Sequence, residues 1–308
     1  MKSERRFDPN THYAVGNTHL PADTSHIKRK YINIPYASQS ELQKVDIYLP
    51  EEGEGPFPVI ISIHGGAFMG CDKSDTQVLP MLEGLKRSYA VVALNYRLSW
   101  EAIFPALIYD AKAAVRWIRA NALKYHFDPD RIAAWGGSAG GYQSLMLGVT
   151  AGISELEDLS MGNSDQPSHI TTFVSWYGPT NFLKMDEQLA ANGLPSPPGK
   201  EHNSSNSPES LLMGGTITEI PDKVRKASPF PYIRPNAAPA LIQHGKMDPV
   251  VPFQQSVEFA EKMKGVVGEE NVVLELLEDA EHADPLFETP DNVSRVLDFL
   301  DPYMHSDK

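Results

Sequence analysis

The sequence predicts an α/β protein: a mostly parallel sheet covered by helices on both faces, with a small cap-like insertion. Three observations predict it. Short apolar runs bounded by turn formers recur along the chain. Stretches with helical spacing lie between them, and one polar segment, 181–230, interrupts the alternation. A strand without a polar face must be covered on both sides, and helices on each face of a parallel sheet supply that cover.

Residues 1–30 are polar, with His12, His19 and His26 scattered among turn formers. They are expected to form an N-terminal arm laid over a domain that occupies 31–308. YINIPY and LQKVDIYLP alternate in the manner of strands joined through a hairpin or its neighbour. EEGEGPFP reads as an exposed turn. VIISIHGG is apolar on both faces and ends in glycines, so it is a buried strand running into a loop. A helix is expected near 76–88, then AVVALNY as a second buried strand. FPALIYDAKAAVRWIRANALKYH follows, with Ala106, Ile108, Ala111, Ala114, Val115, Ile118 and Ala122 on one helical face. DPDR reads as a turn, RIAAWGG as a third buried strand and SAGGYQSLMLGVTAG as the helix behind it. TTFVSWYG, APALIQHG and NVVLELLED supply three more strands, and DNVSRVLDFLDPYM the last helix. The insertion holds the Pro-, Ser- and Asn-rich run NGLPSPPGKEHNSSNSPES, with helical candidates MDEQLAAN and SPESLLMG at its flanks. It is expected to be partly ordered and to pack over the carboxyl edge of the sheet.

The 27 basic and 40 acidic residues give a formal charge of −13. Phosphate backbones require basic patches, so nucleic acid is an unsuitable partner. A lone Cys71 excludes an intrachain disulfide and any Cys-rich metal site. No apolar run reaches 18 residues, so no spanning helix is expected. MKSERRFDPN has no apolar stretch behind it and is not read as a signal peptide. The expected location is cytoplasmic, or periplasmic or secreted if a leader has been removed. No zinc, calcium or phosphate-loop motif is present, and neither a metal nor a cofactor is expected.

Gly136-Gly137-Ser138-Ala139-Gly140 is the strongest chemical signal. It fits G-x-S-x-G between a buried strand and a helix, the context that motif requires. Ser138 is expected on a strained bend at the helix N-terminus, where backbone N–H groups can hold negative charge. His64-Gly65-Gly66-Ala67-Phe68 closes the first buried strand. Gly66 and Ala67 would point amides at a developing oxyanion, with Ala139 as a third donor. His64 is read as a structural residue of that loop. Asp248 lies in the loop after the fifth buried strand, and His282 follows the sixth strand. Ser138, Asp248 and His282 thus occur in the order Ser…Asp…His. A serine hydroxyl needs a neutral imidazole to take its proton, and a carboxylate to fix the imidazole tautomer. Asp279 and Asp284 are rival acids, disfavoured because they stand so close in sequence to His282. Phe68, Trp176, Tyr177 and Leu286 are expected to contact substrate. Asp110 is expected to tie its helix to a loop with Arg97.

These stretches, together with NYRLS, FDPDRIAAWGGSAGG, SPESLLMGG, LIQHGKMDPVVPFQQS and EHADPLFET, resemble the α/β-hydrolase superfamily. Within it the chain is similar to esterases and lipases of the hormone-sensitive-lipase type. The insertion resembles that of bacterial acetyl xylan and feruloyl esterases. The resemblance spans most of 57–300 and implies hydrolysis of short-acyl or hydroxycinnamoyl esters on a small-molecule or oligosaccharide substrate. Ala67 stands where the family often has a third glycine, Lys246 where an acidic residue is frequent, and Ala283 where glycine is frequent. A generic short-chain carboxylesterase, a peptidase or amidase on the same three residues, and a non-catalytic binding protein on the same fold are the alternatives. The polar insertion offers no apolar lid for long-chain lipid, and its hydroxyl and amide groups suit a carbohydrate alcohol.

Overall fold

Phe57–Ile63, Ala90–Leu94, Phe127–Gly137, Thr172–Trp176 and Ala240–Gly245 form the centre of the sheet in a computed structural model that describes residues 20–305. They are β3, β4, β5, β6 and β7. Lys30–Pro35 (β1) and Lys44–Tyr48 (β2) lie at one side and Val272–Leu277 (β8) at the other. The order is β1-β2-β4-β3-β5-β6-β7-β8. β1 and β2 pair antiparallel, as do β2 and β4, and every other neighbouring pair is parallel. Residues 1–19 of the expected arm, including His12 and His19, lie outside the described residues. Of the remainder, Pro21 bridges Asp75 and Ile27 is buried.

Side chains alternate across the sheet, and each face has its own core. Val59, Ile61, Ile63 and Phe173 face one core, together with helices α1 (Ala106–Ala120), α2 (Ala139–Val149) and α6 (Gln254–Val267). Ile60, Trp135, Val174 and Trp176 face the other, with α7 (Pro290–Met304). This two-sided cover is why β3, β4 and β6 have no polar face.

Two local expectations are corrected. DPDR is not a turn between elements but a bulge within β5. Phe127 pairs with Phe57 and Ile132 with Val59, so residues 128–131 lie opposite Pro58 alone. Proline has no N–H for a ladder bond, and the register slips there at little cost. The helix near 76–88 is three successive turns: 3₁₀ at Thr76–Val78, α at Leu79–Leu82 and 3₁₀ at Glu83–Arg87. They end on Ser88 in the left-handed region, at φ 61°.

Asp110, buried within α1, accepts from the Arg97 backbone N–H at 2.7 Å, from the Arg97 guanidinium at 2.8 Å and from Gln43 Nε2 at 2.8 Å. It is a structural carboxylate, as expected. The insertion contains α3 (Met185–Ala191), α4 (Pro208–Met213) and an unforeseen α5 (Pro221–Ala227). Asp186 organises its polar run by accepting from Ser196 Oγ and from the amides of His202 and Asn203.

Candidate active site

The site is assembled at the carboxyl ends of β3, β5, β7 and β8, where loops leave a parallel sheet without covering its strand tips. β5 delivers Ser138 on a turn with φ 56° and ψ −120°. That conformation is costly for a residue with a Cβ, and such strain persists where its surroundings over-determine it. Here the Ser138 amide is bonded to the Trp176 carbonyl of β6 at 2.9 Å. The turn also requires glycine at position 140, because a Cβ there would stand 1.9 Å from the Ile63 carbonyl oxygen.

The structure brings the three residues read from the sequence together. His282 Nε2 is 3.0 Å from Ser138 Oγ, and His282 Nδ1 is 2.7 Å from Asp248 Oδ2. Asp248 is buried, and its Oδ1 accepts from the Val250 and Val251 amides, both at 2.8 Å. Burial pushes the Asp248 carboxyl up, but the charges and hydrogen bonds of His282 and His244 outweigh burial and hold it well below the usual carboxylate range. The group is therefore an anion at neutral pH. With Asp248 accepting at Nδ1, His282 keeps its proton there and leaves Nε2 free to take one from Ser138. The rival Asp284 instead accepts from the Leu286 amide at 2.9 Å.

His244 is a residue that the sequence reading missed. It is fully buried at the end of β7, with Nε2 3.3 Å from Asp248 Oδ2 and 2.8 Å from the Val251 carbonyl. Its other nitrogen lies 2.6 Å from Ser256 Oγ. A histidine in a buried strand, four positions before an acid, was the available signal.

Gly66, Ala67 and Phe68 all have positive φ, at 103°, 54° and 63°. The bend is held by Gly66 O, which accepts from the Met69 and Gly70 amides, and by Gln77, which accepts from the Gly65 amide at 2.8 Å. A Cβ on Gly65 would stand 3.3 Å from the Cβ of Ser138, so this loop and the nucleophile turn are in contact. Gly66, Ala67 and Ala139 line one cleft with Ser138 and His282. His64 is buried and stacked on Tyr96, with Nδ1 2.8 Å from the Gly65 carbonyl, and burial lowers its pKa. It stays neutral, within the loop.

Of the four expected substrate contacts, Phe68 and Tyr177 line the cleft. Tyr177 meets the His282 ring edge-on at a centroid distance of 4.8 Å. Trp176 and Leu286 do not reach it. Trp176 shares the strand face of Val174, and its ring packs against Trp135 and Phe287 beneath α7. Leu286 is exposed over a separate depression with Glu278 and Arg295.

The insertion contributes His202, Pro208 and Glu209 to the cleft wall. His202 Nδ1 lies 3.1 Å from Glu209 Oε2, and both residues are buried. Burial lowers the His202 pKa, but Glu209, Asp186 and the Val250 carbonyl outweigh it and raise it to about 9. A folded-state value above the ordinary 6.5 makes this stabilisation complete below pH 6.5 and removes it as pH rises through about 9. The melting temperature of the wild type is therefore expected to fall across that window more steeply than that of His202→Gln. Calorimetry at matched ionic strength checks this, and equal slopes would rule the charged pair out.

Among the described residues, no group of three or more His, Cys, Asp or Glu side chains is arranged to hold a metal ion. No helix among them is long and apolar enough to cross a membrane.

A mixed, mostly parallel sheet covered on both faces, with a serine turn between a buried strand and a helix, defines the α/β-hydrolase fold. The family model described as BD-FAE matches residues 45–263, and the chain belongs to that family of α/β-hydrolase esterases. A solved structure described as a truncated form of carbohydrate esterase from gut microbiota is 30% identical, with a TM-score of 0.81, covering 93% of this chain and all (100%) of that one. A bifunctional GH43-CE protein of Bacteroides eggerthii is 28% identical at a TM-score of 0.79, covering 89% of this chain and 38% of that one. Esterase LipQ of Mycobacterium tuberculosis is 28% identical over 92% of this chain and 64% of its own length. Esterase LipC of the same organism is 28% identical over 72% and 52%. The chain thus spans between 52% and 64% of the length of these curated relatives.

Proposed function

We propose that the protein hydrolyses carboxylic esters of short acyl groups carried on a sugar, through an acyl-enzyme. The observation that carries the reading is the unbroken relay from Ser138 Oγ through His282 to Asp248, at 3.0 and 2.7 Å. In this mechanism Ser138 Oγ attacks the ester carbonyl carbon and passes its proton to His282 Nε2. The Gly66, Ala67 and Ala139 amides hold the negative carbonyl oxygen. The carbon–oxygen bond to the alcohol breaks, and the alcohol takes the proton from His282. Water repeats the cycle on the acyl-enzyme, giving its proton to His282, and the acid is released as Ser138 regains a proton. Asp248 holds the imidazole and stabilises its charged form.

Three observations support the substrate class. The cleft around Ser138 is narrow, with a cavity volume of about 50 Å³, which favours small acyl groups. We read the 181–230 insertion as the cap, and the wall it lends the cleft is polar through His202 and Glu209. Two similar structures are described as a carbohydrate esterase and a GH43-CE protein. A generic short-chain carboxylesterase is the second reading, favoured by the same small volume and by the mycobacterial relatives.

A kcat/KM panel of acetyl, butyryl and octanoyl nitrophenyl esters, acetylated xylooligosaccharide and methyl ferulate separates the two. Falling values from acetyl to octanoyl with turnover of the xylooligosaccharide are expected, each unaccommodated methylene being worth roughly 1–3 kcal/mol. A steady gain towards octanoyl without turnover of the sugar or ferulate ester would overturn the sugar-ester reading.

A further inference from the structure

We propose that Glu209, backed by His202, accepts a hydrogen bond from a free hydroxyl on the alcohol portion of the substrate, which makes the site selective for partly acylated polyols. The proposal rests on the sugar-ester reading above and names the side-chain pair that enforces it.

Its first basis is a sparsely partnered carboxylate in the cleft wall. Glu209 lies on α4 and is 4% exposed, yet no donor among the described residues makes a hydrogen bond to its buried Oε2. Its partner is the His202 ring, with Nδ1 3.1 Å away. A buried carboxylate with a single partner leaves acceptor capacity unused, which is costly. The purely structural carboxylates of this protein avoid that cost. Asp110 is surrounded by Arg97 and Gln43, and Asp186 accepts from Ser196, His202 and Asn203. Glu209 has His202 in place of such a set of donors, and it lines the cleft that contains Ser138.

The second basis is anchoring. His202 Nε2–H donates to the Val250 carbonyl at 2.9 Å, and the Val250 amide donates to Asp248 Oδ1 at 2.8 Å. The pair is therefore fixed to the loop that orients His282. The leaving alcohol takes its proton from His282, which lines the same cleft as Glu209 and the Gly66–Phe68 loop.

The third basis is chemical. A carboxylate only accepts, so its partner must donate. The charged His202 beside it cancels the negative charge that would otherwise select an ammonium group. A neutral hydroxyl is the donor that fits.

The test compares methyl β-xylopyranoside monoacetate with the same ester whose remaining hydroxyls are O-methylated. Wild type, Glu209→Met and Glu209→Gln are assayed, with competent sites counted by burst titration with an organophosphonate. The wild type is expected to favour the hydroxylated ester by about 10–100-fold in kcat/KM, the range of a hydrogen bond to a charged group. In Glu209→Met that ratio should fall to near one, and in Glu209→Gln to an intermediate value. A wild-type ratio near one, or a ratio that survives in Glu209→Met, overturns the proposal while the sugar-ester reading stands. If Glu209→Met yields no competent sites, an unchanged ratio in Glu209→Gln overturns it equally. Turnover of nitrophenyl acetate but of neither xyloside removes the sugar-ester reading and this proposal with it.

Discussion

Ser138→Ala is expected to lower kcat for a nitrophenyl acetate by roughly four to six powers of ten, leaving a residue of activity from the oxyanion donors and binding. The size follows from the geometry. Removing Oγ deletes the atom that would bond to the acyl carbon, and His282 Nε2, 3.0 Å away, then has only water to activate. A serine-directed fluorophosphonate gives an independent readout. The wild type should gain the mass of one phosphonyl group and Ser138→Ala none. The strained turn is not at risk, because Ser138 is held by its backbone bond to Trp176 and alanine keeps the same Cβ. Turnover within tenfold of wild type, with the variant folded, would show that the ester is cleaved by another group.

Asp248→Asn is the second large effect, a fall in kcat of about 10⁴, or roughly 5.5 kcal/mol in the barrier. The carboxylate is buried and accepts on both oxygens, from the Val250 and Val251 amides on one and from His282 on the other. An amide oxygen can keep the two backbone donors, which turns the NH₂ group toward His282 Nδ1. The imidazole must then accept at Nδ1 and carry its proton on Nε2, the tautomer that cannot take a proton from Ser138. Some of the loss should return at high pH with an activated ester, since hydroxide can supply the missing base. A fall of less than tenfold at neutral pH would mean that Asp248 does not orient His282. His244, also within reach of Oδ2, is placed to hold the carboxylate as the charge on His282 comes and goes.

Much of this protein was legible before any coordinates. β3 and β4 announced themselves because burial on both faces leaves an almost unbroken apolar run. The serine turn did so because a tight strand-to-helix bend leaves no room for a Cβ at Gly140. Asp248 and His282 were readable because each follows a strand, and parallel strands deliver their loops to one edge. Composition and motif thus determined the layered fold and the order of the three residues. The tertiary structure decided the remainder. The face that Trp176 adopts depends on the phase of β6 relative to its neighbours, and pairing of β5 with both β3 and β6 sets that phase. The fate of DPDR depended on Pro58, a residue far away in sequence. His244 and the His202–Glu209 pair were hidden for the same reason. Local periodicity records whether a position is buried, whereas the partner of a buried charge comes from another segment and is known only when the chain has closed around it.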